Sequence, residues 1–457
     1  MRSSSMVIRS PQRISEASGC VERAAKAIAR RLPSFYRRFS SLSVPNASCL
    51  ILVAAFSLRV ALILAFHNLR ANDNQELLNI AVSLASTGVF GDPYAIQTGP
   101  TAHSAPVYPF ILGLILWAFG TGARGNLIHL MFNSFLSSFQ YSLLPRVAVT
   151  YGLHKRVGVL SGFLGALIPL DLLDGIRGAE APLAGTTLIV LSLLVLRTWE
   201  REDFSARSAL VQGACWGIGL LVAPTLILVF LATSILSFLL FTFRRGETIQ
   251  YLGGLVCMIV LVLLPWTIRN YLQLGSFLFI RDDFGLEFSI SNNGKALPNF
   301  EDNVRSGVYH SLHPISSYRE ASRVREVGEI NYNREKMSTA LNWIAQSPIA
   351  FVRLTALRFL FFWFPKTLRP IESITLWLIT LSALLGLFWL FRINRLAAIM
   401  ISAIWLSFPL TFYVLQSSPR YRYPIHWTFI LLASLAVDGL IRNFQDISSF
   451  GSKGKPT

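Results

Sequence analysis

Long apolar runs separated by short polar connections dominate the chain between residues 47 and 441. Several runs reach the ~17 to 25 apolar residues that a helix needs to cross a bilayer, and a spanning helix satisfies its backbone polar groups internally. Ten runs predict transmembrane helices, near residues 47–67, 126–148, 157–173, 181–197, 208–223, 225–242, 250–268, 371–391, 396–415 and 423–441. The pattern therefore predicts an all-α polytopic membrane protein with about ten transmembrane helices.

Two shorter apolar stretches, residues 105–119 and 349–364, are predicted to lie at the membrane surface rather than to cross it. If 105–119 crossed, the connections that contain Lys155 and Arg244 would fall on the outer side. Lys and Arg concentrate in cytoplasmic connections, so the interfacial assignment is favoured. Ten crossings then leave both termini in the cytoplasm.

This topology divides the chain into five segments. They are a basic cytoplasmic tail at 1–46, an N-terminal transmembrane module at 47–269 with its first outer loop at 68–125, a long outer loop with an interfacial helix at 270–370, C-terminal transmembrane helices at 371–441 and a cytoplasmic tail at 442–457. A loop as long as the third segment is uncommon unless it is functional or disordered. Its stretch YNREKMSTALNWIAQSP is amphipathic and aromatic, so we expect an ordered loop.

Composition agrees with a membrane protein and changes the interpretation of the charge. The 457 residues are 53% hydrophobic and 14% charged, whereas soluble domains have about 25% charged residues. In a soluble chain the net charge of +17 would suggest nucleic acid; in a membrane chain it predicts basic cytoplasmic segments and no nucleic-acid partner. The basic tail fits a solvated segment, contact with anionic lipid or, as an alternative, an organelle transit peptide. The four cysteines lie in the tail or in predicted helices, which argues against a disulfide framework and a Cys-ligated metal.

Acidic residues open the first outer loop, where Asp73 and Glu76 begin an amphipathic helix directly after the first apolar run. Asn72 or Asp73 could cap that helix, which is the structural alternative. A second acid, Glu180, stands near Asp174 and Arg177, which could pair with each other and leave Glu180 unexplained. Carboxylates at a bilayer boundary are costly and often mark a functional cavity.

Two further polar groups lie in predicted outer segments. His103 is part of a Gly- and Pro-rich turn and could be a ligand, an acid or base, or a solvated loop residue. Arg420 and Arg422 alternate with tyrosines just before the last helix. They could bind phosphate through the planar guanidinium fork or extend to lipid headgroups.

The order of these features resembles a known class of enzymes. Asp73 after the first helix, the turn GPTAHSAPVYP at 99–109, Glu180 at the start of a helix, PWTIRNY at 265–271 and RYRYP at 420–424 together resemble the GT-C class of membrane glycosyltransferases. The chain is most similar to bacterial relatives of protein O-mannosyltransferases and of the lipid A aminoarabinose transferase. The likeness spans roughly residues 50 to 440.

The resemblance implies a lipid-linked sugar donor, carried on a polyprenyl phosphate, and an active site on the outer side of the membrane. It implies that Asp73 is the catalytic base and that Glu180 is the second acid of the site. Asn74 follows Asp73 where many protein mannosyltransferases have an adjacent Glu, and His103 stands where the aminoarabinose enzymes carry a Glu. Glu76 and His103 are therefore assigned to substrate binding. A bacterial inner membrane with a periplasmic site is the expected location.

The chemistry can also be derived from the residue types. Glycosyl transfer needs a base for the acceptor hydroxyl and cations for the departing phosphate. Asp73 can be the base, while Arg358, Arg420 and Arg422 can hold the phosphate. One base facing one leaving group predicts a single displacement with inversion. A phosphate leaves without protonation, so the paired acid of glycoside hydrolases is unnecessary. No metal ligands are assigned and no cofactor is required, although a divalent metal could serve.

Two other functions remain open at this stage. A transporter or flippase of a lipid-linked or anionic substrate would place ionisable residues near the bilayer midplane and often shows repeated halves. No internal repeat is visible, and Arg59 is the charge lying well inside a predicted helix. A surface polysaccharide polymerase or ligase would place its essential groups in the long loop. The acceptor could be a glycan, a lipid or a protein.

Overall fold

The computed structural model describes residues 42–66, 75–168, 175–176, 180–367 and 369–452, with side chains as far as residue 442. Within these ranges the regular structure is helical, apart from isolated bridges between Gly91 and Pro100 and between Asn299 and Ser417. The first half contains α1 (Val44–Ala65), α2 (Gln75–Thr87), α3 (Val107–Phe119), α4 (Ala123–Ser142), α5 (Leu144–Thr150), α6 (Lys155–Leu167), α7 (Ala181–Arg201), α8 (Ala206–Val222), α9 (Leu226–Leu240) and α10 (Arg245–Leu274). The all-α fold predicted from the apolar runs is confirmed.

The second half begins with five helices of the long loop and ends with the C-terminal bundle. The loop helices are α11 (Phe284–Ser291), α12 (Phe300–Arg305), α13 (Val308–Leu312), α14 (Tyr318–Val327) and α15 (Glu329–Gln346). They are followed by α16 (Pro348–Trp363), α17 (Pro370–Ile393), α18 (Arg395–Ser407), α19 (Leu410–Val414) and α20 (Tyr423–Ser452). The long loop is therefore ordered over most of its length.

Six helical segments of the described chain are long and apolar enough to cross a membrane: Val44–Ala65, Ala181–Arg201, Thr242–Leu274, Pro370–Ile393, Arg395–Val414 and Pro419–Arg442. These make the chain a multi-pass membrane protein. The predicted number of about ten crossings is not confirmed. Helices α8 and α9 are apolar but have only 17 and 15 residues, and α4 buries a row of serines with Asn133 and Gln140 that lowers its hydropathy.

Helices α15 and α16 meet at an angle of 106°. Taken together they would count as a seventh span. Helix α15 lies in the segment predicted to be outer, carries Arg334, Glu335 and Lys336 on consecutive positions and packs with α11. The bend at Ser347 and Pro348 thus separates a polar helix from the apolar α16.

Close helix packing depends on glycine at two interfaces of the bundle. A Cβ atom at Gly386 of α17 would lie 2.0 Å from the backbone oxygen of Leu432 in α20. A Cβ atom at Gly213 of α8 would lie 2.7 Å from the backbone oxygen of Leu255 in α10. Small residues allow helix backbones to approach in this way where apolar burial gives little driving force between helices.

The long loop has a small core of its own that includes the first outer loop. Leu286, Ile290, Val324 and Tyr332 from the loop helices pack around Tyr94. The backbone N–H of Ala95 also donates to the carbonyl of Pro314, at 3.2 Å. The two segments predicted to lie on the outer side are therefore packed against each other.

The segments predicted to be cytoplasmic also contact one another. Arg156 pairs with Asp438 at 2.9 Å, and Asn394 donates to Glu200 at 3.1 Å. Arg244 lies 3.2 Å from a carboxylate oxygen of Glu202. These contacts join segments that were predicted to lie on the same side, and the sidedness itself stays a prediction.

Candidate active site

A cavity of about 890 Å³ opens where the first outer loop, the long loop and the beginnings of α7 and α17 meet the turn before α20. Its charged lining residues are the acids Glu76, Glu180, Asp283, Glu287, Glu301 and Glu372 and the cations Arg281, Arg369 and Arg420. His103 and Tyr309 also line it. The cavity thus brings together residues that are distant in the sequence and that were predicted to lie on the outer side of the membrane.

The first outer loop reaches the cavity through the beginning of α2. Gln75 and Glu76 line the wall, and Glu76 is 8% exposed. The Tyr309 hydroxyl donates to the Glu76 carboxylate at 3.4 Å. Asp73, the predicted base, lies outside the described residues. The amphipathic α2 that follows it buries Leu77, Ile80 and Ala81, as the 3.6-residue period predicts.

Glu180 lies at the N-terminal boundary of α7 and lines the same cavity. Pro182 occupies the first turn of that helix, a position where its missing N–H costs nothing. The Glu180 side chain is partly exposed, with no capping hydrogen bond to α7. Its proposed structural neighbours, Asp174 and Arg177, lie outside the described residues. The structure therefore brings Glu180 to the wall that Glu76 also forms.

His103 is buried at the cavity wall in the predicted turn. Its Nδ1 lies 3.1 Å from the Tyr94 hydroxyl, and its backbone N–H donates to Thr101 Oγ1 at 3.0 Å. Burial lowers the pKa of His103. Near pH 7 we therefore expect a neutral His103 imidazole in contact with the Tyr94 phenol. His103 is thus buried and is not a solvated loop residue.

Two residues from distant segments fix the turn that carries His103. Glu329, at the start of α15, accepts from the Ala102 backbone N–H at 2.8 Å and hydrogen bonds with the Thr101 hydroxyl. Arg269, within the PWTIRNY motif, donates to the carbonyls of Thr101 at 2.6 Å and Phe90 at 2.7 Å. Burial raises the pKa of Glu329 to about 8. The turn is thus held by a neutral carboxyl group and a guanidinium.

His313 and Glu287 belong to the long loop and were not identified from the sequence. His313 Nε2 lies 3.3 Å from Glu76 Oε1 and 3.4 Å from Glu287 Oε1. The backbone N–H of Ile315 donates to His313 Nδ1 at 3.1 Å. No periodicity or motif marks these residues, because their role depends on how α11 and the turn after α13 meet α2.

Glu76, His103 and His313 place potential ligand atoms within 4.8 Å of one another, which raises the question of a divalent metal. A metal-bound histidine needs a free lone pair on the coordinating nitrogen, whereas a neutral imidazole has one donor and one acceptor nitrogen. Since Nδ1 of His313 accepts from Ile315, the proton belongs on Nε2, the nitrogen that faces Glu76. Only Glu76 and His103 then remain, fewer than the three protein ligands of a catalytic zinc site. As arranged, these three residues alone do not complete a catalytic zinc site.

Arg420 supplies positive charge at the cavity wall. Its guanidinium carbon lies 4.3 Å from the centre of the Phe300 ring and 5.2 Å from that of Tyr421. Glu301 lies nearby and accepts from the Ser418 hydroxyl at 2.6 Å. The guanidinium is thus oriented by two aromatic rings and remains partly exposed to the cavity.

Arg358 and Arg422, the other predicted phosphate ligands, are not among the residues that line the cavity. Both are fully buried and donate to protein oxygens. Arg358 donates to Asn292 Oδ1 and to the Val414 carbonyl, both at 3.0 Å. Arg422 donates to Thr380 Oγ1 at 2.8 Å, and its guanidinium carbon lies 3.6 Å from the centre of the Phe429 ring. The structure gives both arginines partners that connect helices.

The helical membrane bundle, the packed outer loops and the cavity between them define a GT-C-like membrane protein fold. Three solved structures of the Archaeoglobus fulgidus oligosaccharyltransferase are similar to this chain: the apo form, a complex with Zn and sulfate, and a form tethered with an acceptor peptide containing the NVT sequon. Their TM-scores are 0.51, 0.51 and 0.52, with identities of 15%, 17% and 16%. They cover 90%, 88% and 87% of this chain and 52%, 50% and 50% of the archaeal protein.

This chain therefore spans about half the length of the archaeal protein. A structure of ArnT from Cupriavidus metallidurans bound to undecaprenyl phosphate also aligns, with a TM-score of 0.37, 12% identity and coverage of 86% of this chain and 77% of that chain. No protein-family model and no curated protein matches the chain. At the level of fold, the predicted resemblance to GT-C membrane glycosyltransferases is confirmed by the archaeal structures.

Proposed function

We propose that this protein is a membrane glycosyltransferase that moves a sugar from a polyprenyl-phosphate-linked donor to an acceptor hydroxyl. The reaction takes place at the outer, periplasmic face of a bacterial inner membrane and inverts the anomeric centre. Asp73 is the base and Glu180 is the second acid. The fold shared with the archaeal oligosaccharyltransferase supports a glycosyl-transfer function.

The observation that carries the proposal is the single cavity lined by Glu76, Glu180 and Arg420. Asp73 precedes Gln75 by two residues, so covalent geometry limits the distance between their Cα atoms to ~7 Å. Gln75 itself lines the cavity. A base near the beginning of α2 and a cation before α20 would therefore act on the same bound substrate.

The cavity also offers an apolar surface for a lipid carrier. Val222, Ala223 and Pro224 at the turn between α8 and α9 line it, together with Phe408 and Phe412. Arg420 occupies the wall of the same cavity. A phosphate held by Arg420 would leave an isoprenoid chain to run along these apolar side chains, as a polyprenyl phosphate requires.

The proposed step is a single displacement. Asp73 removes the proton of the acceptor hydroxyl, and the oxygen attacks the anomeric carbon from the face opposite the phosphate. The bond between that carbon and the phosphate oxygen breaks, and the phosphate keeps the electron pair. Arg420 stabilises this charge through charge-assisted hydrogen bonds. No step requires a metal ion, and none is assigned to one.

The test is complementation of a deletion strain of the source organism, followed by mass spectrometry of its envelope glycans and lipids. Wild-type protein restores the missing sugar, whereas Asp73→Asn does not, because general-base catalysis contributes about 10²- to 10⁴-fold. Glu180→Gln lowers the product strongly. Glu200→Gln, at the opposite end of α7 and exposed, is the matched control and restores it fully.

Protein accumulation in the membrane is measured by immunoblot for each variant. Full restoration of the sugar by Asp73→Asn at normal accumulation would remove the proposed base. Equal effects of Glu180→Gln and Glu200→Gln would remove Glu180 from the site.

A further inference from the structure

We propose that Phe300 is the positioning residue for Arg420, and that its ring holds the guanidinium in place to bind the phosphate of the lipid carrier. Phe300 is the first residue of α12 in the long loop, whereas Arg420 belongs to the turn before α20. Both residues line the cavity. This assignment rests on the proposed glycosyl transfer and adds to it the contact through which the long loop acts on the departing phosphate.

The guanidinium of Arg420 has few partners within the protein. Its central carbon lies over the Phe300 ring, 4.3 Å from the ring centre, and its Nη2 lies 3.4 Å from the Tyr421 hydroxyl. None of the ion pairs found in the described chain includes Arg420. An arginine has five N–H donors, so most of those on Arg420 are available to an anion that enters the cavity.

Arg422 shows how the same kind of contact is used elsewhere for structure. Its guanidinium carbon also lies over an aromatic ring, that of Phe429, at 3.6 Å. Arg422 is buried, however, and donates to the Trp363 carbonyl at 3.1 Å and to Thr380 Oγ1 at 2.8 Å. Arg420 combines contact with a ring and exposure to the cavity, which is the arrangement expected of a ligand-binding arginine.

Backbone hydrogen bonds between the long loop and the turn before α20 fix the position of Phe300. The Phe300 N–H donates to the Ser417 carbonyl at 2.9 Å, and the Ser417 N–H donates to the Pro298 carbonyl at 3.0 Å. The neighbouring Glu301 accepts from the Ser418 hydroxyl at 2.6 Å. These contacts hold α12 against the segment that carries Arg420.

The Phe300 ring also packs against a second residue of the long loop. The ring of Tyr309 lies 5.2 Å from it, with the two planes at 74°. A guanidinium that a fixed ring already holds loses less conformational entropy when a phosphate binds. A charge oriented before the reaction also needs no reorganisation as the phosphate leaves. Phe300 therefore acts on the phosphate through Arg420.

The experiment measures binding of undecaprenyl phosphate to the full-length protein by native mass spectrometry. Phe300→Leu keeps an apolar side chain but removes the ring, and it is expected to weaken binding about 5-fold, the cost of ordering one long side chain on binding. Phe300→Tyr keeps the ring and is expected to bind as the wild type does. Phe284→Leu removes an exposed ring of the same loop that does not line the cavity, and it is the matched control with unchanged affinity.

A double-mutant cycle separates positioning of Arg420 from a general effect on the cavity. Phe300→Leu combined with Arg420→Gln is expected to bind undecaprenyl phosphate as Arg420→Gln alone does, because Phe300 acts through the guanidinium. A further loss of about 5-fold in the double variant would show that Phe300 acts independently of Arg420 and would overturn the assignment. An affinity of Phe300→Tyr as low as that of Phe300→Leu would do the same.

Undecaprenol, the same lipid without its phosphate, provides a second test. It is expected to bind the wild type and Phe300→Leu equally, and an equal loss of affinity for both lipids in Phe300→Leu overturns the assignment. If Phe300→Leu accumulates poorly in the membrane, Phe300→Met, with another flexible apolar side chain, is measured in its place.

Failure of this assignment is distinguishable from failure of the proposed function. Binding of undecaprenyl phosphate that Arg420→Gln weakens and Phe300→Leu leaves unchanged overturns the role of Phe300 and leaves the proposed function intact. Product formation by Asp73→Asn in the complementation experiment overturns the proposed function, whatever the affinities of the Phe300 variants.

Discussion

Replacing Glu329 by Gln tests how the long loop is attached to the turn that carries His103. In the structure the Glu329 carboxyl accepts from Ala102 N–H and hydrogen bonds with the Thr101 hydroxyl. A neutral carboxyl makes both contacts, and so does the amide of Gln, with its oxygen toward Ala102 and its NH₂ group toward Thr101. Glu329→Gln is therefore expected to preserve the turn and to remove its sensitivity to pH.

The magnitude follows from the raised pKa. Burial raises the pKa of Glu329 to about 8 from the usual 4.5. Between these pH values the folded protein binds more protons than the unfolded chain, so the contribution to stability is complete below about 4.5 and is lost as the pH rises through about 8. At 1.36 kcal/mol per pKa unit, the difference corresponds to about 5 kcal/mol.

Hydrogen–deuterium exchange of peptides covering residues 98–105 measures this attachment. After correction for the intrinsic pH dependence of exchange, protection in the wild type is expected to fall between about pH 5 and pH 8 and to level off above pH 8. Protection in Glu329→Gln stays constant, and Glu335→Gln, exposed on the same helix, behaves as the wild type. A parallel fall of protection in wild type and Glu329→Gln would refute the reasoning.

Three further variants test other contacts. Arg420→Gln is expected to weaken binding of undecaprenyl phosphate about 10-fold or more, because a charged hydrogen bond is lost. Binding is measured by native mass spectrometry, and Arg319→Gln, which is exposed on α14, is the control with unchanged affinity. Equal affinities in both variants would contradict the phosphate assignment. Arg358→Leu removes the guanidinium that donates to the buried Asn292 Oδ1 and should destabilise the protein by about 1–3 kcal/mol. An unchanged thermal unfolding midpoint in detergent would contradict this. Gly386→Ala introduces a Cβ atom 2.0 Å from the Leu432 oxygen. This overpacking should destabilise the protein by about 1–3 kcal/mol and lower the same unfolding midpoint.

The sequence predicted the helices well because their signal is local. Each of the ten apolar runs lies mainly on helix in the described parts of the chain. The number of crossings was less predictable, since a run such as 157–173 overlaps a helix, α6, that has only 13 described residues and begins at Lys155. An apolar run is expected for a helix buried in lipid and for one buried in protein. Composition alone therefore does not distinguish the two environments.

The acidic and aromatic wall of the cavity was only partly predictable. Glu76, Glu180, His103 and Arg420 stood out because they are polar residues at the ends of apolar runs. Glu287, His313 and Glu329 lie in a polar loop, where charged residues are ordinary and no period selects them. Their contacts with α2 and with the 98–104 turn exist only once the two outer loops have packed together.

The directions of the Arg420 and Arg422 side chains could not be predicted from the sequence. Arg420 and Arg422 are two residues apart and equally prominent in the sequence, yet only Arg420 lines the cavity. The 3₁₀ turn at Pro419–Arg422 directs Arg422 toward Thr380 and the Phe429 ring instead. The direction of a side chain in a tight turn depends on the backbone geometry, which spacing alone does not supply.

The central claim is that this chain consumes a polyprenyl-linked sugar by glycosyl transfer. The direct measurement uses purified protein in nanodiscs with the lipid extract of the source organism, and follows lipid-linked sugars and free polyprenyl phosphate by mass spectrometry. Wild-type protein should convert the linked donor into free polyprenyl phosphate when the membrane fraction of the deletion strain supplies the acceptor, and Asp73→Asn should not. An unchanged donor pool with the wild type, or equal conversion by Asp73→Asn, would contradict the account.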